Sequence, residues 1–265
     1  MDRDAVLAAF DEQVRRQPES AEPQGRVERD GPVIRRASAA GGWSGVIWSG
    51  LDVRSADAVI AEQISRFAEL SRPWEWKYYS YDRPPDLPRR LIAAGLSPEP
   101  TEALLVAEVA KLALDTPAPA GVRLHDVVDE RGVEALVQVN DEVFGAEHSA
   151  LNSALGRTLL SGLERQPATA AAVIAVAGEL PIAAGRVEFH LGTDFASLWG
   201  GGTLPAWRHR GVFRSLVAHR AALAAARGFR YLQVDASADS CPILLSLGFV
   251  ELATTTPFTH QGAAD

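Results

Sequence analysis

The spacing of apolar residues switches repeatedly between a helical and an extended period. Val6, Leu7, Phe10 and Val14 share one side of a helix over Asp4 to Arg16. Gln17 to Gly31 is polar, holds Pro18, Pro23 and Gly25, and predicts an exposed connector. Two short strands around Gly41-Gly42 fill Val33 to Ile47. Ser55-Ala56-Asp57 opens a helix running through Leu70, with Ala58, Ile60, Ile64 and Phe67 turned inward. The aromatic stretch Trp74 to Tyr81 predicts a strand, Leu87 to Ala94 a short helix stopped by Gly95, and Leu104 to Val109 another strand.

Asp115 to Ala120, with Pro117 and Pro119, divides the chain into a region over residues 1–116 and a domain over residues 120–265. Beyond it the pattern predicts a strand (Val122 to Val128), two helices (Glu130 to Phe144 and Ser149 to Leu163) and three strands (Ala171 to Ala177, Ile182 to Phe189, Ala196 to Thr203). A long helix from Gly211 to Arg227 ends at Gly228. A strand (Tyr231 to Val234), a short helix (Pro242 to Leu247) and a closing strand (Val250 to Thr255) complete the pattern. Such alternation implies an α/β or α+β mixed sheet covered by helices. Leu91-Ile92-Ala93-Ala94-Gly95-Leu96 and Leu244-Leu245-Ser246-Leu247-Gly248-Phe249 close the same order of elements in each half. Either one half-domain is duplicated, or two α/β units merely look alike.

Charge narrows the function classes. Across 265 residues, 26 basic and 34 acidic side chains leave a net charge of −8, the opposite of what a whole-chain nucleic-acid binder carries. A single cysteine, Cys241, forbids an internal disulfide, and no Cys/His cluster has zinc spacing, so no metal is expected. The start Met1-Asp2-Arg3-Asp4 lacks a secretion signal's basic-then-apolar order. The best apolar run, Thr169 to Ala177, is about half of the ~20 residues a bilayer span needs, so no membrane partner is expected. A cytoplasmic location follows as the simplest expectation.

Against this acidic background, Phe195 to Val234 contains no Asp or Glu. It holds Arg208, Arg210, Arg214, Arg220, Arg227 and Arg230, with His209 and His219. Three of these bases crowd the start of the long helix, where first-turn amides have no intrahelical partner and the dipole favours an anion. Gly211 lets a phosphate approach the backbone, and Pro205 ends the preceding strand. Neither the P-loop pattern nor the dinucleotide Gly-x-Gly-x-x-Gly pattern is present.

Arg208-His209-Arg210-Gly211-Val212-Phe213, following Thr203-Leu204-Pro205, resembles the Arg/Gln-x-x-Gly-x-Gly/Ala signature of the GNAT acetyltransferase superfamily. Leu247-Gly248-Phe249 matches a second family feature, and the likeness covers about Val122 to Phe258. It implies a GNAT-like fold, acetyl-coenzyme A as cosubstrate, and transfer of its acetyl group to a small-molecule or peptide amine in a ternary complex. The backbone of Gly201, Gly202, Thr203 and Leu204 would then lie along the pantetheine arm, and the segment Arg208, His209, Arg210, Gly211, Val212, Phe213 and Arg214 would hold the pyrophosphate. Ser237 falls where the family often has a cofactor-side asparagine. Two positions depart from the pattern. Phe213 fills a glycine or alanine position, and Leu244 stands where many members carry the tyrosine that protonates the leaving thiolate.

An amine must lose a proton to attack a thioester. Glu188, late in one strand, and Asp235, ending another, are the candidate bases, with His190 as a substitute. Cys241 at a helix start is a reactive thiol or an inert buried one. Ser44 lies in Gly42-Trp43-Ser44-Gly45, which is not a nucleophile elbow. Asn140-Asp141-Glu142-Val143-Phe144-Gly145 and His148 sit between two helices at the edge expected for the acceptor. Trp74, Trp76 and Tyr78 share a strand face that either packs on the Ser55–Leu70 helix or offers a surface to an acceptor or a second copy in a homodimer. The 1–116 region lacks the Arg-x-x-Gly signature and reads as a scaffold or acceptor-site wall. The alternative to an enzyme is a non-catalytic module that binds an acyl-coenzyme A and regulates a partner; a pure interaction protein is a third reading.

Overall fold

The computed structural model describes residues 1–18, 25–38, 42–68, 73–145 and 149–261. The first half comprises α1 (Arg3–Phe10, prolonged by a π-helical turn, Asp11–Arg15), β1 (Arg26–Asp30), β2 (Val33–Ala37) and β3 (Gly45–Ser49). It continues through α2 (Ala56–Ala68), β4 (Trp74–Tyr79), α3 (Leu87–Ala93), β5 (Ser97–Pro98) and β6 (Glu102–Glu108). The second half comprises β7 (Val122–Asp126), α4 (Glu130–Phe144), α5 (Ser149–Glu164), β8 (Ala170–Ala177), β9 (Leu180–Phe189) and β10 (Phe195–Thr203). It closes with α6 (Val212–Ala226), β11 (Tyr231–Ala236), α7 (Cys241–Ser246) and β12 (Val250–His260).

Local chemistry fixes the element ends. Asp129 caps α4 by accepting from the Gly132 amide at 2.9 Å. Val133, Leu136, Val139 and Asn140 then form its buried stripe. Behind α6, Gly228 at φ 80° lets the Phe229 and Gly228 amides bond back to Ala224 and Ala225, satisfying carbonyls that would otherwise be orphaned. The expected connector at Gln17 to Gly31 instead contains β1, an edge strand whose sequence Arg-Val-Glu-Arg-Asp has no apolar face to betray it. β12 also runs past the expected Thr255 to His260, because β4 supplies partners through His260 and β5 through Thr259. Gly41, Leu70 and His148, named in the sequence reading, lie outside the described residues.

All strands join one 12-stranded sheet of order β1-β2-β3-β4-β12-β6-β11-β10-β9-β8-β7, with β5 added beside β12. The two halves interleave at its centre. β12, from the second half, lies between β4 and β6 of the first, while β6 lies between β12 and β11. Leu105 and Val106 of β6 are fully buried between these two partners.

Helices cover both faces. On one, α2 and α3 bury Ile60, Phe67 and Leu91 against Trp74, Trp76 and Phe258, with Phe67 stacked on Trp74 at 4.4 Å. The Trp74 and Trp76 rings on this face of β4 are thus core, while Tyr78 is half-buried with its ring edge-on to Phe258. On the same side α6 and α7 pack Val217, Ala221 and Leu244 against Val187, Leu198 and Leu232. The other face carries α4 and α5 over β8 and β9, and α1 over Tyr79, Leu104 and Tyr231. Between these helices a strip of that face stays polar. Among the described residues no helix is long and apolar enough to cross a membrane.

Candidate functional site

The site begins where two strands part. β10 and β11 run parallel and pair only from Phe195–Tyr231 to Ser197–Gln233. β10 then continues to Thr203 and β11 to Ala236 without meeting again, which opens a wedge in mid-sheet. On its other edge β10 breaks register with β9 between Trp199 and Gly202. Gly200, at φ 56°, forms the kink of this bulge, a conformation that a β-carbon would strain. Gly200 and Gly201 therefore present backbone to the wedge, with Leu198, Phe213, Val234, Ser237 and Leu244 as further walls.

At the outer end of the wedge, the chain passes a short 3₁₀ turn (Pro205–Trp207) into α6. His209 (φ 61°) and Gly211 (φ 88°) are both left-handed, and His209 is the described non-glycine residue with positive φ. Left-handed residues two apart turn neighbouring amides toward one side, the backbone geometry called a nest, which suits an anion. The first bond into α6 is from the Ser215 amide to the Gly211 carbonyl, leaving earlier amides without intrahelical acceptors. Arg208, His209, Arg210, Gly211 and Arg214 are exposed, so the nest faces solvent.

The other signature residues brace this loop. The Thr203 carbonyl accepts from Arg208 Nε at 3.1 Å, and the Leu204 amide donates to Ile182. Gly202 and Thr203 pair with Ala184 and Ala183 of β9. Arg210 stacks over Trp207, Val212 is buried beside Leu216, and Arg214 donates to Ser246 Oγ at 2.8 Å. The ring of Phe213, at the departing signature position, finds its room against the α6 core and at the wedge wall. Leu244 is 1% exposed and packs in that same core.

Behind the wedge, on the α1/α4/α5 face, strand alternation lines up Glu75 and Lys77 of β4, Glu102 of β6, Gln233 and Asp235 of β11, Ser197 and Trp199 of β10, and Arg186 and Glu188 of β9, with His190 just beyond the end of β9. Arg36 of β2 stands with Glu188 and His190 around one cavity although six strands separate β2 from β9 in the sheet order, so the sheet curls over this face.

The expected bases Glu188 and Asp235 both lie here, and both carry a cationic partner. Arg186 Nε sits 3.0 Å from Glu188. Burial pushes the Glu188 carboxyl up, but Arg186, Arg36 and His190 together hold it below the usual range. Lys77 Nζ sits 2.6 Å from Asp235, itself 1% exposed. Burial alone would pull the Lys77 ammonium down, yet Asp235, Tyr79 and Glu75 keep it above the ordinary lysine value. Lys77 also faces the Trp199 ring at 5.2 Å. His190 shares a 2.7 Å hydrogen bond with Ser197 Oγ, and burial pulls its imidazole down to about 4.

Glu102 was invisible in the sequence. It opens β6 in the first half, yet it lines the wedge beside Asp235 because β6 is inserted next to β11. Burial, with Asp235 and Glu75, pushes its carboxyl up to about 7 against the pull of Lys77. No cation is within ion-pair distance of it among the described residues. Its one sequence signal is a carboxylate opening an apolar run, Ala103 to Ala107.

The remaining candidates divide between the wedge rim and the surrounding structure. Asp141 accepts from Ser149 Oγ (2.8 Å) and Asn152 Nδ2 (2.7 Å), tying α4 to α5. Phe144 is exposed at the wedge. Cys241 packs half-buried against the α6 core, and buried Ser44 accepts from the Ser38 amide at 3.0 Å. Among the described residues no group of three or more His, Cys, Asp or Glu could hold a metal ion.

No family model and no curated protein matches this chain. Solved structures do. A GCN5-related N-acetyltransferase from Kribbella flavida superposes with a TM-score of 0.71 over 99% of this chain and 96% of its own, at 18% identity. The chain has the GNAT fold. A tandem GNAT protein from the clavulanic acid biosynthesis pathway superposes at 0.63 over 99% of this chain and 95% of its own, with 13% identity. An acetyltransferase of the GNAT family from Novosphingobium aromaticivorans gives 0.53 over 89% and 91%, with 18% identity.

Proposed function

We propose that this chain is an acyltransferase that moves an acyl group from a coenzyme A thioester to an amine. The observation that carries the reading is the wedge itself: it joins a solvent-facing anion nest on one side of the sheet to a half-buried, unpaired carboxylate on the other. The amides at residues 209–214 receive the pyrophosphate, and the unpaired backbone of Gly200 and Gly201 flanks the pantetheine and thioester. Acceptor and donor then meet from opposite faces, so orientation supplies most of the catalysis.

In this reading Glu102 is the general base. A carboxylate titrating near neutrality is matched to taking a proton from an ammonium acceptor. Going from ammonium to amide frees two protons: Glu102 passes one to the departing thiolate, which bypasses the tyrosine replaced by Leu244, and the other leaves to solvent. Lys77 keeps Asp235 charge-balanced beside it, and Glu188 is held by Arg186 as part of the acceptor wall. Residues 1–116 and 120–265 are two GNAT-like halves, of which the second holds the nest and the first donates the base.

The non-catalytic reading draws on one observation, the buried Leu244 where an acid would stand. Release of free coenzyme A thiol from short acyl-coenzyme A thioesters, followed across a panel of amines, separates the two. Transfer predicts release that depends on one class of amine; a slow rate that no amine stimulates contradicts it.

A further inference from the structure

Arg220 is the one signature-window arginine turned inward. It is 1% exposed, yet it lines the wedge. Its guanidinium lies across two glycines: a β-carbon on Gly185 would come within 2.7 Å of Cζ, and one on Gly201 within 3.2 Å of Nη2. Nε donates to the Leu216 carbonyl at 3.0 Å and Nη1 to the Arg186 carbonyl at 3.2 Å. Both acceptors are neutral. Among the described residues Nη2 makes no hydrogen bond, and no carboxylate is within ion-pair distance of any Arg220 nitrogen. The nearest charge acting on it is another cation, Arg186, which is already committed to Glu188. Burial, reinforced by Arg186, pulls the guanidinium down to about 9, which still leaves it charged at neutral pH.

A buried cation without a counter-ion is costly unless an anion arrives to meet it. The pyrophosphate of coenzyme A is not that anion. Arg220 lies nine residues beyond Gly211, about 13 Å further along the helix axis from the nest. The wall around it, Leu198, Phe213, Val234 and Leu244, is apolar. A short methylene chain ending in a negative charge fits an apolar throat with one cation at its side. The two carboxylates that also border the wedge, Glu102 and Asp235, belong to the opposite face, and Asp235 is balanced by Lys77.

We propose that the preferred donor is the coenzyme A thioester of a short dicarboxylic acid, with Arg220 binding the free carboxylate of its acyl chain. This rests on the wedge being a coenzyme A thioester site and specifies the acyl group it takes. The fork of the guanidinium suits a carboxylate, and the bond is charge-assisted.

Calorimetric titration of the full chain with coenzyme A, acetyl-coenzyme A and succinyl-coenzyme A tests it. The expected result is that succinyl-coenzyme A binds at least about tenfold more tightly than acetyl-coenzyme A. Arg220→Gln should bring that ratio close to one while leaving the affinity for coenzyme A itself within about twofold, and Arg220→Lys should fall between them. If coenzyme A binds but the native chain takes both thioesters equally, or prefers acetyl, the assignment is overturned and the coenzyme A site stands. If none of the three binds, both fall together. The native ratio decides without reference to how the variants fold.

Discussion

Individual side chains on the polar face are tuned by what surrounds them. Glu188 and Asp235 are each committed to an ion pair, with Arg186 and Lys77. Glu102 is coupled to Lys77 only at longer range, and burial holds it near neutrality. Because the deprotonated carboxylate is the active form, kcat/KM should rise with pH through about 7 and then level off. Glu102→Gln should remove that limb and lower kcat by about 10²- to 10⁴-fold with the coenzyme A affinity retained. An unchanged pH–rate profile would assign the base elsewhere. A second tuned group lies outside the site. Arg15, 2% exposed, is held by Asp82 through two bonds of 2.8 and 3.0 Å and lies over the Tyr79 ring at 4.0 Å. Arg15 would keep Asp11 at 2.8 Å but lose both bonds to its more buried partner, so Asp82→Ala should cost about 1.5–3 kcal/mol in denaturant unfolding. A loss under about 1 kcal/mol would mean that the pair is not a buried anchor for α1.

The α6 start shows what a sequence pattern does and does not reveal about an element. Gly211 is left-handed with its nearest neighbour atom, Pro119 Cγ, 3.8 Å from where a β-carbon would stand. Gly211→Ala therefore meets strain but no collision, a cost of about 1–2 kcal/mol. Gly211→Glu adds a negative charge to the nest, so it should weaken coenzyme A binding far more than the alanine variant at a similar melting temperature. Equal affinity in the two variants would remove the nest from the account. Most helices and strands were legible because their apolar residues repeat at a helical period, as in α4, or form a short continuous run, as in β8. β1 was not, since an edge strand with polar residues on both faces leaves no period to read. The loop of Arg208 to Gly211 was legible as a candidate because glycine and arginine there supply backbone freedom and charge. The roles of Glu102 and Arg220 were not, because each depends on what packs beside it. Glu102 meets Asp235 only through the insertion of β6, and Arg220 looks like any other helix arginine until Gly185 and Gly201 make room for it.

Across the molecule, the exchange of β6 and β12 makes the halves mutually dependent. Without β6, β11 and β12 would each expose a long edge of unpaired backbone. A fragment of residues 120–265 should accordingly aggregate or unfold without a cooperative transition, whereas the full chain should melt as one unit. A soluble fragment with a sharp thermal transition would show that the second half folds alone. The same exchange delivers a carboxylate from one half to a wedge in the other, so the account requires the intact sheet for both binding and chemistry. Isothermal titration of the full chain with coenzyme A tests the wedge as a thioester site. Saturable binding at one site per chain, lost in Gly211→Glu, is expected. No heat and no thermal shift at millimolar coenzyme A would contradict it.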